Sequence, residues 1–255
     1  MNNIQNLFSL ANKTAIVTGA NTGLGQGISV ALAAAGAHVF GVARRSCEDT
    51  MNKVKEVGGN FTEVIADLSD MSAIEKIINE VSAVTERIDI LVNNAGVIKR
   101  CPAAEVTVED WDMVTDLNEK MVFFLSQAVA KQWIADGKGG KIINIASMLS
   151  YQGGINVPSY TASKSAVVGL TKALANEWAQ YNINVNAIAP GYMATNNTTQ
   201  LRSDSNRNDD ILARIPAGRW GTPEDMYGAA IFLASEASAY MNGFTIAVDG
   251  GWLAR

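Results

Sequence analysis

Short β-branched runs alternate along the chain with longer stretches of helical spacing. The short runs fall at residues 14–18, 38–42, 61–65, 88–92, 141–145, 183–188 and 244–248. Several are almost continuously apolar, such as Ala15-Ile16-Val17 and Ile90-Leu91-Val92, the pattern of strands covered on both faces. The longer stretches, 24–35, 71–85, 111–133, 159–180 and 223–233, place apolar residues at helical intervals. Strand–helix alternation implies successive βαβ units. The predicted fold is therefore α/β: one doubly wound domain over residues 1–255, with a seven-stranded parallel sheet and helices on both faces.

One segment breaks the texture. Between residues 194 and 213 Asn, Thr, Ser, Asp and Arg crowd together with few apolar positions. A linker is one reading, but both flanks continue the same sheet pattern, so a polar flap beside a ligand fits better.

Composition narrows the class. The 255 residues are 48% hydrophobic and carry a formal net charge of −5, with 20 basic against 25 acidic side chains. Without a basic stripe, nucleic acid is not an expected partner. The two cysteines, Cys47 and Cys101, and the one histidine, His38, make neither a disulfide framework nor a metal cluster. The opening Met1-Asn2-Asn3-Ile4-Gln5-Asn6 lacks a basic segment and long apolar core, and the longest apolar stretch, 28–43, is interrupted by Ser29, Gly36, His38 and Gly41. A cytoplasmic protein without a membrane span is the expectation.

The first strand runs into Gly19-Ala20-Asn21-Thr22-Gly23-Leu24-Gly25, where a helix begins. Here Gly19 permits a tight turn, Gly23 lets backbone N–H groups approach a diphosphate, and Gly25 permits close helix–strand packing, with the positive helix end toward the phosphates. Tight strand-to-helix turns also need glycine for steric reasons alone, so the loop does not decide. The spacing Gly-x-x-x-Gly-x-Gly resembles that of the short-chain dehydrogenase/reductase family. So do Asn93-Asn94-Ala95-Gly96 after the fourth strand, Ser147 after the fifth, Tyr160-Thr161-Ala162-Ser163-Lys164 beginning thirteen residues beyond that serine, and Pro190-Gly191 closing the sixth. This resemblance spans essentially the whole chain. It implies a Rossmann fold, a nicotinamide dinucleotide and hydride transfer.

Tyr160 and Lys164 lie four apart on a predicted helix and so share a face. A phenol near its ordinary pKa of about 10 is a weak acid–base partner at neutral pH. A neighbouring ammonium and an oxidised nicotinamide ring both favour phenolate, so the Tyr160 pKa is expected to fall. Tyr160 would then accept the alcohol proton during oxidation or donate one during reduction. Ser147 would bond the same oxygen, and Lys164 would also hold the nicotinamide ribose. The resemblance assigns Asn118 to a water link between Lys164 and solvent. It also assigns Asp67-Leu68 to the adenine and Thr195 to the nicotinamide carboxamide. Asp67 has an alternative reading in a helix N-cap region.

The second strand ends Val42-Ala43-Arg44-Arg45. Ala43 occupies the place where a carboxylate would bind the ribose 2′-hydroxyl of NAD, and Arg44 could instead meet the 2′-phosphate of NADP. Glu48 or Asp49 could supply the carboxylate if the loop folds back. The resemblance favours NAD and the residues favour NADP, so the cofactor is NAD or NADP.

The stretches at residues 145–154, 157–160, 182–197 and 245–255 resemble a subgroup of the family that interconverts a hydroxyl and a ketone on keto-deoxy sugar acids in uronate catabolism. A sugar carboxylate requires a cation: Arg100 is the forked candidate and Lys99 the alternative. Gln152, Asn196 and Asn197 could bond hydroxyls, and Met148 and Trp220 could form an apolar wall. Arg219 reads as a structural ion-pair residue. Competing functions are 3-oxoacyl-thioester reduction and a non-catalytic dinucleotide sensor. The resemblance also implies a homotetramer built on the helices around 111–133 and 159–180 and on the last strand.

Overall fold

The computed structural model describes residues 4–255; the first three residues of the expected 1–255 domain lie outside the described residues. Seven strands form one sheet: β1 (Thr14–Thr18), β2 (His38–Ala43), β3 (Asn60–Ile65), β4 (Ile90–Asn93), β5 (Gly140–Ile145), β6 (Ile183–Pro190) and β7 (Thr245–Val248). All neighbours pair in parallel, in the order β3-β2-β1-β4-β5-β6-β7. The expected runs match these strands to within two residues at either end.

The helices are α1 (Gly23–Ala34), α2 (Glu48–Glu56), α3 (Ala73–Ser82), α4 (Val108–Thr115), α5 (Met121–Ala135), α6 (Pro158–Trp178), α7 (Thr199–Ser203), α8 (Ser205–Arg214) and α9 (Tyr227–Ala234). Successive strand residues face opposite layers. Ala15 and Val17 pack with Ile28 and Leu32 of α1 and Ala230 and Leu233 of α9. Ile16 faces the other way, with Ile77 of α3, Leu125 and Trp133 of α5 and Leu174 of α6. Doubly covered strands explain the near-continuous apolar runs.

Three local features depart from the sequence expectation. The helix anticipated over 111–133 is interrupted by one π-helical turn, Asp116–Lys120, between α4 and α5. Its extra residue per turn places Asn118 where it is fully buried, as such turns often do at sites. The polar segment 194–213 is mostly helical, with α7 and α8 joined at Asp204, whose side chain caps α8 by accepting from Arg207 N–H. Ile211 is its one buried anchor in α8, so the periodic apolar signal was too sparse to read. Helix α2 was absent from the expected elements because only Thr50 and Val54 are buried along it. Among the described residues no helix is long and apolar enough to cross a membrane.

Candidate active site

Sheet order reverses between β1 and β4, and parallel α/β sheets bind ligands beyond the strand carboxyl ends at such a switch. Both strands end in a recognised turn there, and Thr18 joins them. Its Oγ1 accepts from the Asn94 and Ala95 N–H groups, each at 3.0 Å. Asn94 Nδ2 donates back to Thr18 O at 2.8 Å. Gly19 turns the chain with φ +68°, a conformation that disfavours side chains. Gly25 packs so closely that a Cβ on it would stand 2.1 Å from Gly19 O.

Helix α1 starts at Gly23. Its N-cap Thr22 makes no side-chain capping bond, and the first turn, which includes Leu24, has no acidic residue. The positive helix end therefore carries no internal counter-charge. Thr195 approaches to 3.5 Å from the point a Gly23 Cβ would occupy. A bare helix end in a cradle that a Cβ would fill fits a dinucleotide diphosphate; Asn21 lies in the same turn. Pro190 ends β6, and Gly191 N–H donates to Val248 O at 2.9 Å across the next strand.

Beyond the ends of β2 and β3, Arg44, Asp67, Asp70 and Lys76 line a cleft of about 350 Å³. Asp67 is not a helix cap: its Oδ1 accepts from Ser69 N–H at 3.0 Å and Ser69 Oγ at 2.9 Å. These bonds, with a smaller contribution from the charge of Arg44, hold its carboxyl below the usual range. Leu68 is buried beside it. Asp49, a candidate partner for a ribose hydroxyl, is taken by Gln26 Nε2 at 2.8 Å and Lys53 Nζ at 3.0 Å. Glu48 is exposed in the first turn of α2.

On the far side of the crevice Pro158 starts α6, and Tyr160 and Lys164 follow one turn apart. Lys164 is buried, its Nζ 5.7 Å from the Tyr160 ring centroid and donating to Ile145 O at 2.6 Å. Burial pulls its pKa down to about 8. The expected fall in the Tyr160 pKa is not what the chain produces. Burial pushes that phenol up, and a Ser147 hydrogen bond and the Arg100 charge only partly oppose it. Desolvation penalises phenolate more than these polar neighbours favour it.

Ser147 follows β5 in extended backbone, with Oγ accepting from Leu149 N–H at 3.2 Å. Asn118 Oδ1 accepts from Val97 N–H at 2.8 Å, and its Nδ2 donates to Val97 O at 2.9 Å and to Ser163 Oγ at 3.2 Å. The Asn118 side chain thus braces the turn after Gly96 and the Ser163 hydroxyl. Ser163, which donates to Tyr160 O at 2.9 Å, was not singled out from the sequence.

The expected substrate residues divide. Arg100 is exposed, donates to Asn197 O at 3.1 Å, and pairs with no carboxylate among the described residues. Lys99 is paired with Asp110 at 3.0 Å. Gln152 Oε1 accepts from Arg214 Nη2 at 3.2 Å, which leaves its amide N–H groups to donate. Asn196 is exposed in a single turn before α7. Trp220 donates to Asn208 Oδ1 and meets Tyr192 edge-on. Met148 is 3% exposed and packs with Val167, Ile211 and Trp252, so it belongs to the core rather than to a substrate wall. Arg219 forms a two-pronged pair with Asp225 at 2.7 Å, which pulls that carboxyl down to about 2. Among the described residues no cluster of three or more His, Cys, Asp or Glu side chains could hold a metal.

Comparison with known proteins places this arrangement. A family model described as enoyl-(acyl carrier protein) reductase matches residues 19–253. A 2-dehydro-3-deoxy-D-gluconate 5-dehydrogenase of Dickeya dadantii is 60% identical over 252 residues, covering 99% of this chain and all of the relative. A protein of the same name from Escherichia coli K12 is 59% identical with the same coverage. A solved Agrobacterium tumefaciens structure with bound NADP, described as that of a 2-deoxy-D-gluconate 3-dehydrogenase, is 55% identical. It superposes with a TM-score of 0.93 over 98% of this chain and all of the other.

Proposed function

The chain belongs to the short-chain dehydrogenase/reductase family, and from that premise we propose that it catalyses the 2-dehydro-3-deoxy-D-gluconate 5-dehydrogenase reaction, interconverting a hydroxyl and a ketone on a keto-deoxy sugar acid of uronate catabolism. The substrate class rests on 60% identity along the full length of a relative with that name. The chemistry rests on one juxtaposition. Lys164 Nζ lies 3.7 Å from the point where a Gly96 Cβ would stand, so the amine beside Tyr160 and the turn beside the glycine loop share one crevice.

A nicotinamide dinucleotide held by the glycine loop, Arg44 and Lys164 would supply hydride acceptance from the alcohol carbon, or hydride return to the ketone. The residues of the chain do the rest. Ser147 Oγ fixes the reacting oxygen, and Tyr160 takes its proton in oxidation or supplies one in reduction. Lys164 orients the ribose. Asn118 supports the Val97 turn beneath them. Purified protein mixed with 2-dehydro-3-deoxy-D-gluconate, its 5-oxo form and related uronate derivatives should turn over at least one with either cofactor, seen as reduced-nicotinamide absorbance. Turnover of a 3-oxoacyl thioester alone would overturn the sugar-acid assignment.

For the cofactor we favour NADP. Ala43 supplies no carboxylate, Asp49 is engaged by Gln26 and Lys53, and Arg44 borders the adenosine-side cleft with Lys76. Arg44→Ala should raise KM for NADP by roughly 10- to 100-fold, the scale of one lost charge-assisted phosphate contact of about 1.5–3 kcal/mol, with KM for NAD nearly unchanged. Equal effects on both cofactors would refute the phosphate role. For the substrate, Arg100 receives the sugar carboxylate, with Gln152 and Asn196 on the hydroxyls. Arg100→Ala should raise KM for the sugar acid by roughly tenfold or more and leave that for the dinucleotide unchanged, as initial-rate kinetics would show. We further propose a homotetramer, on the resemblance together with the exposed Trp111, Phe124 and Phe244.

A further inference from the structure

Strand β5 leaves the sheet at the residue that matters most. Ala146 N–H makes the last cross-strand bond, to Ile188 O at 2.8 Å. Ser147, the next residue, has its N–H held by Ser150 Oγ at 3.3 Å. The same Ser150 hydroxyl donates to the main-chain carbonyl of Lys164 at 2.6 Å. One side chain thus spans the two segments that carry the candidate chemistry. Two flanking contacts run between the same segments: Lys164 Nζ to Ile145 O at 2.6 Å, and Ser165 Oγ to Leu149 O at 3.5 Å. Neither of these touches Ser147 itself.

We propose that Ser150 is a positioning residue, whose hydroxyl locks the Ser147 backbone to the α6 turn bearing Tyr160 and Lys164 and so sets where the Ser147 hydroxyl points. The proposal rests on the catalytic reading of Ser147, Tyr160 and Lys164 given above. Ser147 is the N-cap of a short 3₁₀ turn, Met148–Ser150, and lies outside the strand, so its aim depends on side-chain bonds that a single substitution removes. A hydroxyl is required because the atom must accept from one N–H and donate to one carbonyl at once. Threonine retains that pair of functions and alanine retains neither.

In Ser150→Ala, kcat should fall about tenfold, as small losses of aim at a reacting centre do, and Ser150→Thr should recover most of it. The dissociation constant for NADP, read by tryptophan fluorescence, should stay within about twofold because the glycine loop is untouched. Placed on Ser147→Ala, the same substitution should cost almost nothing further, since its effect passes through Ser147. The tyrosinate absorbance of Tyr160, isolated by difference from Tyr160→Phe, should titrate at higher pH in Ser150→Ala, as it should in Ser147→Ala, because the first misaims and the second removes the Ser147 hydroxyl whose bond favours phenolate. That titration needs no substrate. Failure of the sugar-acid reading appears in the parent protein, whereas failure of the positioning role appears only in the variants. A Ser150→Ala protein with parental kcat and Tyr160 titration, or one losing an equal factor in the Ser147→Ala background, would overturn the proposal.

Discussion

Replacing Tyr160 with phenylalanine should lower kcat by about a thousandfold, within the 10²–10⁴ range of positioned acid–base groups and equivalent to about 4 kcal/mol of barrier. The ring keeps its packing, so NADP affinity should change by less than about twofold. This separates an enzyme from a dinucleotide sensor, which would keep its function with phenylalanine in place. The direction of the Tyr160 shift adds a pH signature. Burial holds the phenol protonated above its ordinary range, so the acid needed for reduction is present throughout neutral pH. Oxidation needs phenolate and should accelerate as pH rises above neutral. Stopped-flow traces of reduced nicotinamide in both directions, across pH, would check this. An alkaline fall in oxidation, or a Phe variant with more than a tenth of parental kcat, would remove Tyr160 from the proton path.

The fold and the crevice were legible because their signals are local and redundant. Each strand carries an apolar or β-branched run, nearly unbroken in β1 and β4, and each motif falls beyond the carboxyl end of one: Gly19 after β1, Asn94 after β4, Ser147 after β5 and Gly191 after β6. Parallel pairing brings those ends together without long-range information beyond strand order. What stayed hidden depends on packing. Spacing shows the amine near Tyr160 but not the burial that, in the chain alone, pushes the phenol up and the Lys164 ammonium down. Met148 looked like a wall residue from its place beside Ser147, but its side chain turns into the cluster around Trp252. The π-helical turn around Asn118 leaves the apolar pattern of 111–133 intact, so periodicity passes over it. Ser150 and Ser163 are small polar residues whose partners lie 14 and 45 positions away, and no one-dimensional pattern marks them.

Gly25→Ala tests the other half of the site, where backbone meets backbone. Its added methyl carbon would stand 2.1 Å from Gly19 O, 2.4 Å from Asn94 Nδ2 and 2.8 Å from Gly19 C. None of these atoms is the loose end of a flexible chain. Gly19 N–H is bonded to Val42 O at 2.8 Å, and Asn94 Nδ2 to Thr18 O at 2.8 Å. Helix α1 must therefore move, against a face that buries Ile28 and Leu32 completely. Overpacking of this kind costs about 1–3 kcal/mol of stability, and more where backbone blocks relaxation. The same shift displaces the Gly23 end of α1 from the crevice, and anion binding at a helix end depends on those N–H groups being in place. The expected result is a folded protein with a melting temperature lower by several degrees and NADP binding weakened at least about a hundredfold, measured by calorimetry. Glycine at this position is then required by the contact itself rather than by backbone flexibility, since Gly25, unlike Gly19 and Gly23, does not adopt a positive φ. Parental NADP affinity in the alanine variant would show that α1 can yield, and would take the close strand–helix approach out of the account of dinucleotide binding.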